Sequence, residues 1–335
     1  MGGKKICIVD TTMRDGSHAM RHNFTTDQVR KIAGALDESR VPMIEVTHGD
    51  GIGGSSYTYG FSGTDELELI KAASEVIRHG TLTVLLLPGI GTIEQLKAAR
   101  ACGAGAVRVA THVTEADVSA QHIKAAKEMG MMAVGFLMMV HMAPPEVIAE
   151  EAAKMASYGA DYINLADSAG YLTPEGVTAR IQAVKEAVDI PVGFHAHNNL
   201  GMAAANSLAA AKAGAEYIDA TVCGLGAGAG NTQLEVLTAI LNREGYETGV
   251  DLYGVMDLAA DIVKPIMLRP QEIDSGSLML GYTGVYSSFL LHVYSAAEKY
   301  HLDARDILVE LGRRKIVGGQ EDMIIDVAHQ LKNGA

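Results

Sequence analysis

About eight short runs of apolar, often branched residues recur along the first 225 positions of this 335-residue chain, at 6–9, 43–46, 82–87, 106–109, 132–140, 162–165, 191–194 and 217–222. Helical periodicity fills the gaps, at 27–36, 66–77, 93–101, 116–128, 145–157, 175–187 and 203–213, so the order is strand, helix, strand, helix. Three stretches resemble one another: CGAGAVRVATH (102–112), YGADYINLADSAG (158–170) and AGAEYIDATVCGLG (213–226). Each sets Gly-Ala at a helix end, then a buried strand, then polar residues where the strand stops. Continuously apolar strands predict parallel pairing buried on both faces. Eight such units predict an α/β fold closed into a (β/α)8 TIM barrel, rather than an open doubly wound sheet. Against the open sheet, no GxGxxG follows the first strand, where the sequence reads DTTMRDG (10–16).

From about Lys264 the alternation stops, and Pro265 and Pro270 precede helical stretches near 285–300, 304–311 and 321–331. The expected organisation is a barrel over 1–263 and a C-terminal helical addition over 264–335. Hydrophobic residues at 48% and charged residues at 20% suit a large buried core. A net charge of −13 without any stripe of Lys or Arg would repel phosphate backbones, which excludes nucleic acid as a partner. Cys7, Cys102 and Cys223 are odd in number and far apart; they read as reduced thiols and point to the cytoplasm. The opening MGGKKICIVD has too short an apolar run for a signal segment or a membrane span, and Ile6 stands where a myristoylation motif needs Ser or Thr. No membrane association is expected.

Chemistry concentrates at two strand ends. In PVGFHAHNNLG (191–201), His195 and His197 are two positions apart and therefore project to the same side of a strand, so two imidazoles can reach one ion. A divalent cation on two imidazoles needs an anion, and DTTMRDGSH (10–18) offers Asp10 and Asp15 after the first strand. Strands one and seven are near neighbours in a closed barrel, so Asp15 can complete a His-His-carboxylate face with positions left for water and substrate. Capping of the loop is the competing role for both aspartates, as is a surface ion pair for Arg14. An amidohydrolase barrel would carry its HxH on the first strand, where this chain has RDG. A non-haem iron oxygenase would need antiparallel sheets, which the βα repeats contradict.

The pair DTTMRDG and HAHNNLG resembles the metal-dependent superfamily of isopropylmalate synthases, hydroxymethylglutaryl-CoA lyases and pyruvate carboxyltransferases, over about residues 5–262. Within it, TTMRDGSHAMRHNF (11–24), EVTHGDGIGGSSYTYG (45–60), NLADSAG (164–170), GLGAGAGN (224–231) and the helical tail are similar to the 4-hydroxy-2-oxovalerate aldolases of bacterial aromatic and sterol ring degradation. The glycine loop 224–231 lacks the Cys of the hydroxymethylglutaryl-CoA lyases, no central strand offers the Lys of the biotin-dependent carboxyltransferases, and Asn199 replaces the Asp of a synthase HxHND.

The resemblance implies a class II aldolase that cleaves 4-hydroxy-2-oxovalerate or 4-hydroxy-2-oxohexanoate to pyruvate and acetaldehyde or propanal. The alternative is a Claisen-type acyl-CoA synthase or lyase of the same superfamily, and a catalytically silent barrel is the non-enzymatic one. Asp15, His195 and His197 would hold the metal. Mn²⁺ fits the oxygen-rich substrate chelate best, with Co²⁺, Mg²⁺ and Zn²⁺ also compatible. Arg14 would add fixed positive charge beside the developing enolate oxygen. His18 is the leading general base, since a neutral imidazole accepts protons near neutral pH; His22 is its competitor, otherwise an exposed residue at a helix entry. Tyr286, otherwise a packing residue on a helix, matches the family tyrosine that orients the base. Ser168 would donate to the substrate carboxylate or cap a turn, and Asn231 stays outside the ligand set. The family pairs with an acylating acetaldehyde or propanal dehydrogenase, implying a heterotetramer in which the helical tail docks the partner. The glycine-rich stretches 51–60 and 224–231 lack GK[ST] and read as flexible loops over the site. The Met-rich run 131–142 reads as barrel core.

Overall fold

Local rules set the ends of many elements. Thr25 and Thr92 each close a capping box, with Gln28 and Gln95, over the helices Thr26–Glu38 and Ile93–Ala101, satisfying amides that a helix start leaves unpaired. In the computed structural model, which describes residues 4–334, such helices alternate with β1 (Cys7–Met13), β2 (Met43–Val46), β3 (Thr81–Leu86), β4 (Ala106–His112), β5 (Met132–Met138), β6 (Tyr162–Asp167), β7 (Val192–Ala196) and β8 (Tyr217–Ala220). The strands pair in chain order as a closed barrel, and β8 closes in parallel on β1. Each expected apolar run overlaps one strand. The extreme positions 1–3 and 335 of the two expected spans, including the tripeptide weighed against a lipidation motif, lie outside the described residues.

Period-two alternation sorts the strand residues. Val9, Met43, Ala106, Val134 and Tyr162 pack together inside the lower barrel, and Leu85, Ala110, Phe136 and Ala166 form a second interior layer. Between these two apolar layers the same parity places Glu45, Arg108, Asn164, His195 and Asp219, each at most 2% exposed. Residues of the other parity, such as Ile8, Ile44, Val84 and Ile218, join the cluster shared with the helices. Burying one such aliphatic side chain contributes about 1.5–3 kcal/mol.

The C-terminal helices differ in detail from expectation. Ser275–Thr283 is helical although its sequence, SGSLMLGYT, has two glycines and no polar face to reveal a period. The expected helix over 285–300 begins only at Leu290, because Tyr286 has extended backbone (ψ 128°) before a short 3₁₀ turn. Tyr286 therefore stands on a connection, not on a helix. Leu280, Phe289, Val293, Ile307, Leu311 and Val327 belong to a core of their own. Among the described residues, no helix is long and apolar enough to cross a membrane.

Polar contacts lock this helical unit to the barrel mouth. Ser287 donates through its amide and hydroxyl to the Ser168 carbonyl (3.1 and 2.6 Å). Asn199 donates to Ser287 Oγ at 2.8 Å, and His141 Nε2 meets the Gly284 carbonyl at 3.1 Å. Burial pushes the His141 pKa from 6.5 down to about 4, against the opposing pull of that carbonyl. Its neutral form is therefore tied to the folded state, and the stability it contributes above the unfolded value is lost as pH falls from 6.5 through about 4. Between neutral pH and pH 4 the parent chain should lose on the order of 2 kcal/mol more than His141→Gln. Urea midpoints measured at both pH values would check this, and parallel losses would contradict it.

Candidate active site

Past β1, the amides of Arg14 and Asp15 both donate to the Thr11 carbonyl (3.1 and 2.8 Å). This tight turn carries Asp15 over the mouth of the barrel, where its Oδ1 accepts the Ala227 amide at 3.0 Å. Asp10 has the outward parity of Ile8. Its carboxylate instead receives the Thr12 amide and hydroxyl (3.0 and 2.7 Å). Of the two aspartates after the first strand, geometry sets Asp10 to bracing the strand and Asp15, the expected ligand, at the mouth.

His195 points inward from β7, and His197 follows just past the strand end in a single bridge with Asn231. Their Nε2 atoms are 3.3 Å apart. Asp15 Oδ2 lies 3.2 Å from the first and 3.6 Å from the second. The remaining ring nitrogens are engaged elsewhere: His195 Nδ1 with Asp219 at 2.8 Å, and His197 Nδ1 with the Ala227 carbonyl at 3.4 Å. Such outer partners take the ring N–H and leave the Nε2 lone pairs facing each other and Asp15.

The arrangement suits a divalent cation. Two imidazole nitrogens and one carboxylate oxygen, all buried, form a borderline donor set. Asn231 Nδ2 sits 3.0 Å from His195 Nε2, while its Oδ1 is buried without a hydrogen-bond partner; this amide is nearer the donors than the sequence suggested. The local field also favours positive charge. Burial opposes ionisation of Asp15, yet Arg14 and the two histidines outweigh it and hold its pKa well below the usual range. Burial likewise opposes a charged His195, but Asp15 and Asp219 together raise its pKa.

Sequence inspection missed the charges behind this face. Arg14 Nε donates to Glu45 at 2.7 Å and its Nη1 to Asp15 at 2.9 Å. Glu45 also faces Arg108 Nε at 2.9 Å, Arg108 bonds Asp219, and Asp219 holds His195. A closed ring therefore runs Asp15, Arg14, Glu45, Arg108, Asp219, His195. The Arg108 guanidinium also lies 4.5 Å from the centre of the Phe136 ring. A signal was available: MIEV, AVRVA and YIDAT each carry one charge within an apolar strand run, and so rarely buried a charge implies a partner.

His18 and Asp50 line a cavity of about 560 Å³ with Tyr59, Gly226, Ser287 and Glu321. A neighbouring cavity of about 290 Å³ shares Asp50, Tyr59 and Glu321 and adds Tyr286, Met138 and Met139, so part of the Met-rich run faces this space. Burial, reinforced by the charges of Asp50 and Asp15, raises the Tyr286 pKa and keeps it a phenol. Burial lowers the His18 pKa despite nearby Asp15, leaving a neutral imidazole. Ser168 Oγ accepts the Met139 amide at 3.1 Å, which leaves its hydroxyl proton for another acceptor. His22 is buried, not an exposed helix-entry residue. The glycine loop 224–231 is also buried throughout and pinned by Asp15 and Asn199, which receive the amides of Ala227 and Ala229. It is a packed wall, where a flexible loop was expected.

The HMGL-like family model matches residues 5–262, and the DmpG-like communication domain matches residues 271–333. The chain is 65% identical to 4-hydroxy-2-oxovalerate aldolase of Moorella thermoacetica, over 99% of this chain and 98% of that protein. It is 59% identical to the enzyme of that name from Carboxydothermus hydrogenoformans, over 98% of both. The chain belongs to the 4-hydroxy-2-oxovalerate aldolase family. This member of the aldolase family shares its fold more widely. The carboxyl transferase domain of Rhizobium etli pyruvate carboxylase superposes with a TM-score of 0.83 at 18% identity, covering 99% of this chain and 61% of that one.

Proposed function

We propose that this chain is a divalent-metal-dependent lyase that cleaves 4-hydroxy-2-oxovalerate, or its one-carbon-longer homologue, to pyruvate and acetaldehyde or propanal. The observation that carries the proposal is the buried face of Asp15, His195 and His197, with the Arg14 guanidinium against it, in a member of this aldolase family. Cleaving the C3–C4 bond requires removal of the C4 hydroxyl proton and stabilisation of the negative charge that spreads to the 2-oxo oxygen. A divalent cation held by Asp15, His195 and His197, with Mn²⁺ the best match to two imidazoles and an oxygen-rich chelate, would supply Lewis acidity toward that oxygen.

The chain's own groups do the rest. Two nitrogens of Arg14 are held by Glu45 and Asp15, which fixes the guanidinium and leaves Nη2 to meet the developing charge. His18, neutral at the cavity wall, takes the hydroxyl proton. Tyr286 remains a phenol and orients the hydroxyl or the base. Ser168 offers its hydroxyl proton to the substrate carboxylate. Assaying pyruvate release from 4-hydroxy-2-oxovalerate with Mn²⁺ tests the proposal; condensation of acetyl-CoA without pyruvate release would replace it with a Claisen-type synthase.

Residues 1–263 would form the catalytic barrel and 264–335 a docking unit for an acylating aldehyde dehydrogenase in the cytoplasm, which would receive the small reactive aldehyde directly within a heterotetramer. In support, 271–333 match the communication domain, and this region exposes Leu278, Tyr282 and Leu291, side chains typical of interface anchors. Copurification with the dehydrogenase that survives Tyr282→Asp and Leu278→Asp together would remove that surface from consideration.

A further inference from the structure

Among the described residues the His18 ring makes no hydrogen bond that explains how it is held, and three glycines of the segment GDGIGGSSYTYG (49–60) account for it. A methyl group at Gly49 would fall 2.5 Å from Cε1 and Nε2 of His18. One at Gly54 would fall 2.5 Å from Nδ1 of His48, and one at Gly60 3.1 Å from Cδ2 of His22. Each missing side chain is a place where an imidazole lies against backbone. The rings also touch one another: His22 stacks face to face on His48, with centroids 3.7 Å apart and planes 15° apart, and meets His18 edge-on at 5.2 Å and 73°.

The stack is anchored at its inner end. His48 Nε2 is 3.1 Å from the Gly60 carbonyl, so that nitrogen carries the proton, and Nδ1 accepts the Asp50 amide at 3.1 Å. Both nitrogens of His48 are thus fixed by backbone of the same loop. Reaching this stack requires Arg21 and His22 to adopt positive φ, 51° and 57°. Two successive non-glycine residues in the left-handed region mark a strained segment, a state that persists where the surroundings over-determine it.

We propose that the glycine-rich loop 49–60 is a mould for the imidazole stack His48–His22–His18, and that Gly49, His22 and His48 are positioning residues that set the ring of His18 for proton transfer. The proposal rests on His18 being the base of the aldol cleavage described above. Donor atoms of His18, His22 and Asp50 lie within 4.8 Å of one another, but a cation held there would occupy the lone pair with which His18 accepts a proton. The stacked rings and their glycine seats serve orientation instead.

A second reaction separates base positioning from general damage. Oxaloacetate can lose CO₂ by breaking its C3–C4 bond, the electron pair moving toward the 2-oxo group to leave the same pyruvate enolate. No hydroxyl proton is removed, so that reaction needs Arg14 and the metal face but not His18. Gly49 is not among the glycines at positive φ, so alanine is compatible with its backbone, and the three atoms nearest to the added methyl all belong to the His18 imidazole. Gly49→Ala, and His22→Ala, which removes the ring that meets His18 edge-on, should each lower kcat for 4-hydroxy-2-oxovalerate cleavage by roughly 100-fold. KM, metal content and oxaloacetate decarboxylation should stay within about twofold. If one variant fails to fold, the other decides. Undiminished aldol cleavage in a folded variant, or decarboxylation lost in step with it, overturns the inference. A parent chain that decarboxylates oxaloacetate but does not cleave the hydroxy acid overturns the functional proposal, and this one with it.

Discussion

Asp15→Asn should deprive the barrel mouth of its divalent ion and lower turnover of 4-hydroxy-2-oxovalerate by a factor on the order of 10²–10³ or more. The substitution keeps volume and removes only charge and one acceptor. Asp15 Oδ1 accepts the Ala227 amide, and Oδ2 faces both Nε2 atoms and Arg14. An amide that keeps its oxygen on the Ala227 N–H turns its own N–H groups toward the imidazole lone pairs and the guanidinium, where they cannot ligate a cation, and the reversed placement sets N–H against N–H at Ala227. Arg14 would also lose one of the two carboxylates that orient it. Asp10→Asn is the matched control, because among the described residues the outward-facing Asp10 carboxylate bonds only with Thr12 and its loss should leave metal content intact. Metal per chain and pyruvate release, measured on both variants, decide the matter; a fully loaded and active Asp15→Asn protein would remove Asp15 from the ligand set.

The second large effect is on stability. Arg108→Met should destabilise the fold by about 3–5 kcal/mol, because it leaves two buried carboxylates without their shared partner. Arg108, Glu45 and Asp219 are at most 1% exposed, so water does not replace the guanidinium readily. Burial already opposes the charge on Asp219, and Arg108 is the largest of the influences that keep its pKa low, His195 being the next. Removing Arg108 would favour protonation of Asp219, loosen its hold on His195 Nδ1 and weaken metal affinity by roughly 10–100-fold. Equilibrium unfolding in urea measures the first effect and metal titration the second. A stability change below about 1 kcal/mol, the range of an exposed ion pair, would contradict the closed ring of charges.

Much of the architecture could be read along the chain. All eight strands and seven of the barrel helices announced themselves, because the period of the apolar residues and the Gly-Ala helix ends are local properties. The helix Ser275–Thr283 stayed hidden, since its small polar and apolar residues are spread around it and carry no period. Tyr286 was identified by resemblance but set on a helix, whereas its backbone is extended and faces the smaller cavity.

The site divides in the same way. His195 and His197 were legible because two positions along a strand return the side chain to one side, whatever the strand's neighbours are. Asp15 was the expected partner of that pair, and the turn that follows β1 sets it, and not Asp10, at the mouth. Glu45, Arg108 and Asp219 stood in the sequence as isolated charges in three distant strands. Barrel closure and register alone bring them together, across 63 to 174 positions of chain, into one ring behind the face of Asp15, His195 and His197. Gly54 and Gly60 of the stretch 51–60, which read as a flexible loop, and Gly49 before it became seats for three imidazoles once β1 and β2 lay side by side. The sequence by itself therefore determined the barrel and its histidine pair, since periodicity and spacing need no partner. The tertiary structure decided what stands behind that pair and what holds the neighbouring groups in place, because those answers depend on contacts between segments far apart in the chain.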